Sequence, residues 1–134
     1  MLSNQQALRI LQQAELICPA EQVQVAVAHV AQEINARLAD THPLVLSVMG
    51  GAAVFTGHLL TQLEFPLDFD YVHVSRYGGG RRGGELHWKV EPGENVAGRV
   101  VLVVDDILDE GETMAAIRRQ VLELGVIVYA VERE

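Results

Sequence analysis

The sequence predicts an α/β fold: one domain over residues 1–134, with a mainly parallel, twisted sheet flanked by helices. Three observations predict it. Short apolar runs rich in β-branched residues alternate with segments of helical period, the order that builds a parallel sheet with both faces covered. The central runs are continuously apolar, as strands buried on two faces must be. With 49% hydrophobic residues and neither repeat nor linker, the chain suits a single core.

Ser3 and Gln6 have the S-x-x-Q spacing of a capping box. Ala7, Ile10, Leu11 and Ala14 follow at helical spacing, so a first amphipathic helix runs to about Glu15. Pro19 suits the first turn of a second helix with the apolar face Val23, Ala26, Val27, Val30, Ile34 and Leu38, stopped by His42-Pro43. These helices, within residues 1–43, either cover a sheet edge or form part of a dimer interface. "LVLSV" at 44–48 reads as a buried strand, and "AAVFTGHLLTQL" after Gly50-Gly51 as a helix ending before Pro66. "DFDYVHV" alternates with period two. "SRYGGGRRGGE" at 75–85, with five glycines, reads as a mobile excursion, and "LHWKV" as the returning arm of a hairpin. "PGENVAG" turns into a strand at 100–104; a helix follows over 112–124, ended by Gly125; "VIVYAV" is the last strand.

A formal net charge of −8, with Arg81-Arg82 and Arg118-Arg119 as the basic clusters, argues against nucleic acid as partner. The N-terminus lacks a signal-peptide pattern, and no apolar run approaches the ~20 residues of a membrane span. Cys18 is the one cysteine, so no internal disulfide forms. A cytoplasmic location follows as the expectation. The five histidines are not paired at i, i+4, which argues against a zinc site; His29 and His58 read as exposed or half-buried helix positions, His87 and Trp88 as packing or interface residues rather than base stackers.

The functional question lies in "VVLVVDDILDEGETM", 100–114, where a buried strand meets five carboxylates within eight residues. In open α/β sheets, ligands bind beyond the carboxyl ends of the strands. A helix start there offers free N–H groups and a positive dipole end to an anion. Asp109 to Thr113, with Gly111 allowing close approach, would cradle a phosphate; Asp105 and Asp106 would hold sugar hydroxyls or Mg²⁺. Two other arrangements also place acids here: a helix N-terminus stabilised by acids, which accounts for Glu110 and Glu112, and an acidic metal pocket.

The same run resembles the phosphoribosyl pyrophosphate signature of the type I phosphoribosyltransferases, and Asp109 points to their hypoxanthine-guanine branch. Further resemblance runs in order from about Leu44. "SVMGG" is similar to the family's pyrophosphate loop, and "SRYGGG" to the start of its flexible hairpin lid, with Tyr77 at the family's tyrosine. The resemblance implies phosphoribosyl transfer from phosphoribosyl pyrophosphate to hypoxanthine or guanine, in purine salvage, with Mg²⁺ as cofactor. Asp105 and Asp106 would hold the ribose hydroxyls, directly or through Mg²⁺. Asp109 would be the acid/base facing purine N7. Amides of Glu110, Gly111, Glu112 and Thr113, with the Thr113 hydroxyl, would hold the 5-phosphate, and Met49 and Gly50 the leaving group. A homo-oligomer, dimer or tetramer, is the expected assembly.

Some positions depart from the family. Glu110 stands where threonine is common, Met49 where lysine is frequent, and Arg76 where serine usually precedes the tyrosine. Family members continue past the last strand with a base-reading lysine, a stacking aromatic and a second acidic segment; none is visible through Glu134. Two rival functions follow: a regulator that senses phosphoribosyl pyrophosphate or nucleotides while binding nucleic acid, and a weakly active or truncated paralogue kept for binding.

Overall fold

The computed structural model describes residues 1–76, 86–90, 96–105, 115–119 and 127–132. Helices α1 (Asn4–Gln13) and α2 (Ala20–Leu38) precede strand β1 (Leu44–Met49). Helix α3 (Ala53–Leu60) leads to β2 (Asp68–Arg76) and β3 (Leu86–Val90); β4 (Val100–Asp105), a helical stretch at 115–119 and β5 (Ile127–Glu132) complete the described chain. The sheet order is β3-β2-β1-β4-β5. All neighbours pair in parallel except β2 and β3, which are antiparallel, as the two arms of a hairpin require. The register slips between His73 and Val74, leaving Lys89 as the extra residue opposite them. A bulge and an exposed lysine on an edge strand both discourage pairing with another chain.

The two faces of the sheet carry separate cores, because alternate residues of each strand point to opposite sides. Leu44, Leu46, Val48, Val72, Val101 and Val103 pack with Val96 and Ile117 on one face, with Val74 and Trp88 partly buried against them. Val45, Leu102 and Val104 pack on the other face with Phe55 and Leu59 of α3 and with Val27, Ala31, Ile34 and Leu38 of α2. Each fully buried aliphatic side chain contributes about 1.5–3 kcal/mol.

Helix α2 therefore covers a sheet face rather than a sheet edge. Its buried stripe includes Ala31, whereas Ala26 is exposed. Helix α1 starts with the expected capping box, in which the Ser3 hydroxyl accepts from the Gln6 amide and the Gln6 side chain accepts from the Ser3 amide. Yet it buries no residue, and Leu11 is 71% exposed. Its apolar stripe is buried against neither the sheet nor its edge.

Polar contacts fix the loops between these layers. Asn35 of α2 donates to the Gln62 carbonyl at 3.0 Å and accepts from the Glu64 amide at 2.9 Å, which holds the chain leaving α3. Asn35→Ala should lower stability by about 1 kcal/mol, read as a shifted urea midpoint at unchanged slope. At the amino ends of the strands, Arg99 donates to Asp68 at 2.7 Å and to the His42 carbonyl at 2.9 Å, holding the starts of β1, β2 and β4 together. Gly98, with φ of +72°, makes the left-handed turn just before Arg99 that a side chain would strain.

Candidate functional site

The topology marks one place on the sheet as a binding crevice. Strands β1 and β4 are parallel neighbours, Leu44 level with Val101 and Ser47 with Val104. The chain leaves β1 for α3, which packs on the α2 face. It leaves β4 for the helical stretch at 115–119, whose Ile117 is buried on the opposite face. Connections that diverge to opposite faces from adjacent strands leave an opening at the carboxyl ends, where α/β sheets bind ligands. Met49 and Gly50 stand at one lip of this opening and Asp105 at the other.

The β1 lip is shaped by short-range hydrogen bonds. The Ala52 amide donates to the Val48 carbonyl and the Ala53 amide to the Gly50 carbonyl, both at 3.2 Å, so the chain turns at once into α3. The Met49–Gly50 peptide is cis. Gly50 is exposed, and a Cβ built on it meets no atom within 4 Å, so a ligand can approach the backbone there. No side chain caps α3 at Ala52, unlike Ser3 at the start of α1. The Ala52 and Ala53 amides are thus taken by the turn, and it is the following first-turn amides of α3 that no side chain caps, where the helix dipole favours an anion.

Behind the lip, α3 is tied to β1 by a buried polar pair. The hydroxyls of Ser47 and Thr56, 0% and 2% exposed, share a hydrogen bond of 2.8 Å. Thr56→Val should strand the Ser47 hydroxyl and cost about 1–3 kcal/mol. The double change Ser47→Ala with Thr56→Val should recover most of that loss. Chemical denaturation of the three proteins checks it.

At the β4 lip, Asp105 is half-buried and ends the strand level with Glu132 of β5. Asp106, Asp109, Glu110, Gly111, Glu112, Thr113 and Tyr77 lie outside the described residues, as does the excursion expected at 75–85, apart from Ser75 and Arg76, which instead belong to β2, and the helix expected at 112–124, apart from 115–119. Of the residues proposed from sequence, the structure thus brings Met49, Gly50 and Asp105 to one end of adjacent strands. His29 and His58 are exposed helix positions, and Trp88 packs partly into the core. One neighbour was missed: His73 of β2 is level with Met49 and half-buried. The parallel register is what identifies it.

Among the described residues, no group of three or more His, Cys, Asp or Glu side chains could hold a metal ion, and no helix is long and apolar enough to cross a membrane. Mg²⁺ commonly binds through one or two carboxylates plus substrate oxygens and water. A half-buried carboxylate at the strand tip, followed in sequence by Asp106, suits that mode.

A family model for the phosphoribosyl transferase domain matches residues 17–129. A hypoxanthine-guanine-xanthine phosphoribosyltransferase of Tritrichomonas foetus is 36% identical over 94 residues, 70% of this chain and 51% of that protein. The hypoxanthine-guanine phosphoribosyltransferase of Bacillus subtilis is 29% identical over 102 residues, 75% of this chain and 57% of that one. The chain spans about half the length of the curated relatives it matches. A crystal structure of a hypoxanthine phosphoribosyltransferase from Staphylococcus aureus has the same fold, with a TM-score of 0.81 at 22% identity over 88% of this chain and 65% of that one. A hypoxanthine-guanine phosphoribosyl transferase of Leishmania donovani gives 0.76 at 24% identity over 89% and 71%.

Proposed function

We propose, since the chain belongs to the phosphoribosyltransferase family on its hypoxanthine-guanine branch, that it transfers phosphoribosyl from phosphoribosyl pyrophosphate to hypoxanthine or guanine. The products are IMP or GMP and pyrophosphate, as purine salvage requires. The observation that carries this reading is the opening between β1 and β4, with an uncapped helix start on one lip and Asp105 on the other. An anion and a polyhydroxy sugar, joined in one ligand, match those two lips.

In the reaction, purine N9 attacks C1 of the ribose, the C1–oxygen bond to pyrophosphate breaks, and the base loses a proton. Positive charge builds on the sugar and negative charge on the leaving group. Met49 and Gly50 take the leaving group at the start of α3, where amide donors stabilise the growing charge. Asp105 and Asp106 hold the ribose 2- and 3-hydroxyls, directly or through a Mg²⁺ that these two carboxylates would carry. Bound there, Mg²⁺ would offset the pyrophosphate charge. Asp109 faces purine N7 as the acid/base group. The amides of Glu110, Gly111, Glu112 and Thr113 hold the 5-phosphate, and Tyr77 comes from the lid.

The reading extends to a cytoplasmic homo-oligomer, dimer or tetramer, for which the exposed Leu8, Ile10 and Leu11 of α1 offer apolar surface. The test is a pyrophosphate-release assay with hypoxanthine, guanine, xanthine and adenine in parallel. Release with a 6-oxopurine and not with adenine is the expected result. Tight binding of phosphoribosyl pyrophosphate without release for any base would replace the enzyme by a non-catalytic binder of the same fold.

A further inference from the structure

Position 49, at the pyrophosphate end of the crevice in this reading, is methionine. A thioether offers no N–H to an anion. The neighbouring strand supplies one. In the parallel pairing of β1 with β2, Val45 is level with Phe69, Ser47 with Tyr71 and Met49 with His73. Residues level with one another on parallel neighbours share a face, on strands about 4.8 Å apart. The face is that of α3, because Ser47 bonds Thr56 of that helix. His73 therefore stands beside Met49, at the strand end where the chain turns through Gly50 into the uncapped start of α3.

Access is open on the β2 side. Phe69 and Tyr71, which precede His73 on this face, are 44% and 43% exposed, so α2 and α3 leave this part of the sheet uncovered. His73 itself is half-buried, held by the sheet yet reachable. Arg99 and His42 are joined through Asp68 at the opposite end of the strands, too far along to serve. An imidazole donates an N–H whether neutral or charged, so the contact does not require protonation.

We infer that His73 binds the pyrophosphate group of the ligand, supplying the N–H that methionine at position 49 cannot. The inference rests on the phosphoribosyltransferase reading and adds a binding residue on a strand outside its sequence motifs. Calorimetric titration with inorganic pyrophosphate in the presence of Mg²⁺ tests it, with ribose 5-phosphate as the ligand lacking that group. His73→Ala should weaken pyrophosphate binding about tenfold or more, the range of a hydrogen bond to a charged group, and leave ribose 5-phosphate unchanged. Adding Met49→Lys to His73→Ala should restore most of the loss. Pyrophosphate affinity equal to the parent's in His73→Ala overturns the inference alone. So does an equal loss for both ligands, which would make His73 a structural residue. A parent protein that binds neither ligand removes the phosphoribosyl reading itself, and this inference with it.

Discussion

Asp109→Asn should lower turnover by about 10²–10⁴-fold, the contribution usual for a positioned general acid/base, while phosphoribosyl pyrophosphate binding stays close to the parent's. The substitution keeps shape and hydrogen-bonding capacity but removes the group that exchanges a proton with the base. Phosphoribosyl pyrophosphate contacts lie elsewhere in the reading, at the two strand ends and the phosphate amides. Comparing the single-turnover rate with the affinity measured by calorimetry separates the two roles. A variant that loses affinity as much as rate would make Asp109 a ligand-holding residue. A variant with unchanged rate would leave the proton transfer to another group.

Much of the fold is legible in the sequence because buried strands and amphipathic helices leave different periods. The continuous runs at β1 and β4 imply two covered faces, and the structure places Val45 and Leu102 on one core and Leu44 and Val101 on the other. The position of Asp105 was legible for a related reason: a carboxylate that ends such a run sits where burial stops, and it is half-buried at the tip of β4. Other features have no such trace. An apolar stripe shows that a helix has two sides, not that anything packs on one, so α1 reads like α2 although every one of its residues is exposed. Alanine is small enough for either side, which is why Ala26 and Ala31 exchange roles. Ser47 and Thr56 are core residues only because each satisfies the other. His73 acquires its neighbour through register, a property of two strands that neither strand's pattern contains.

Ile117→Ala should combine the largest expected loss of stability with a loss of ligand affinity. Ile117 is fully buried against Val101 and Val103, and it anchors the helical stretch that follows the acidic run. Truncating a buried isoleucine costs about 2–5 kcal/mol, a large share of the roughly 5–15 kcal/mol that holds a domain together. The melting temperature should fall by on the order of 10 °C. Leu38→Ala provides the comparison, because Leu38 is 1% exposed but belongs to α2, which joins neither lip of the crevice. The two variants should lose similar stability, measured by urea unfolding. Only Ile117→Ala should also bind phosphoribosyl pyrophosphate more weakly under conditions where both remain folded, because Val104 and Ile117 are the buried anchors on either side of the acidic run. Equal affinities in the two variants would show that the phosphate-holding amides keep their positions without the packing of Ile117. The β4 lip of the crevice would then owe its shape to contacts within the run itself.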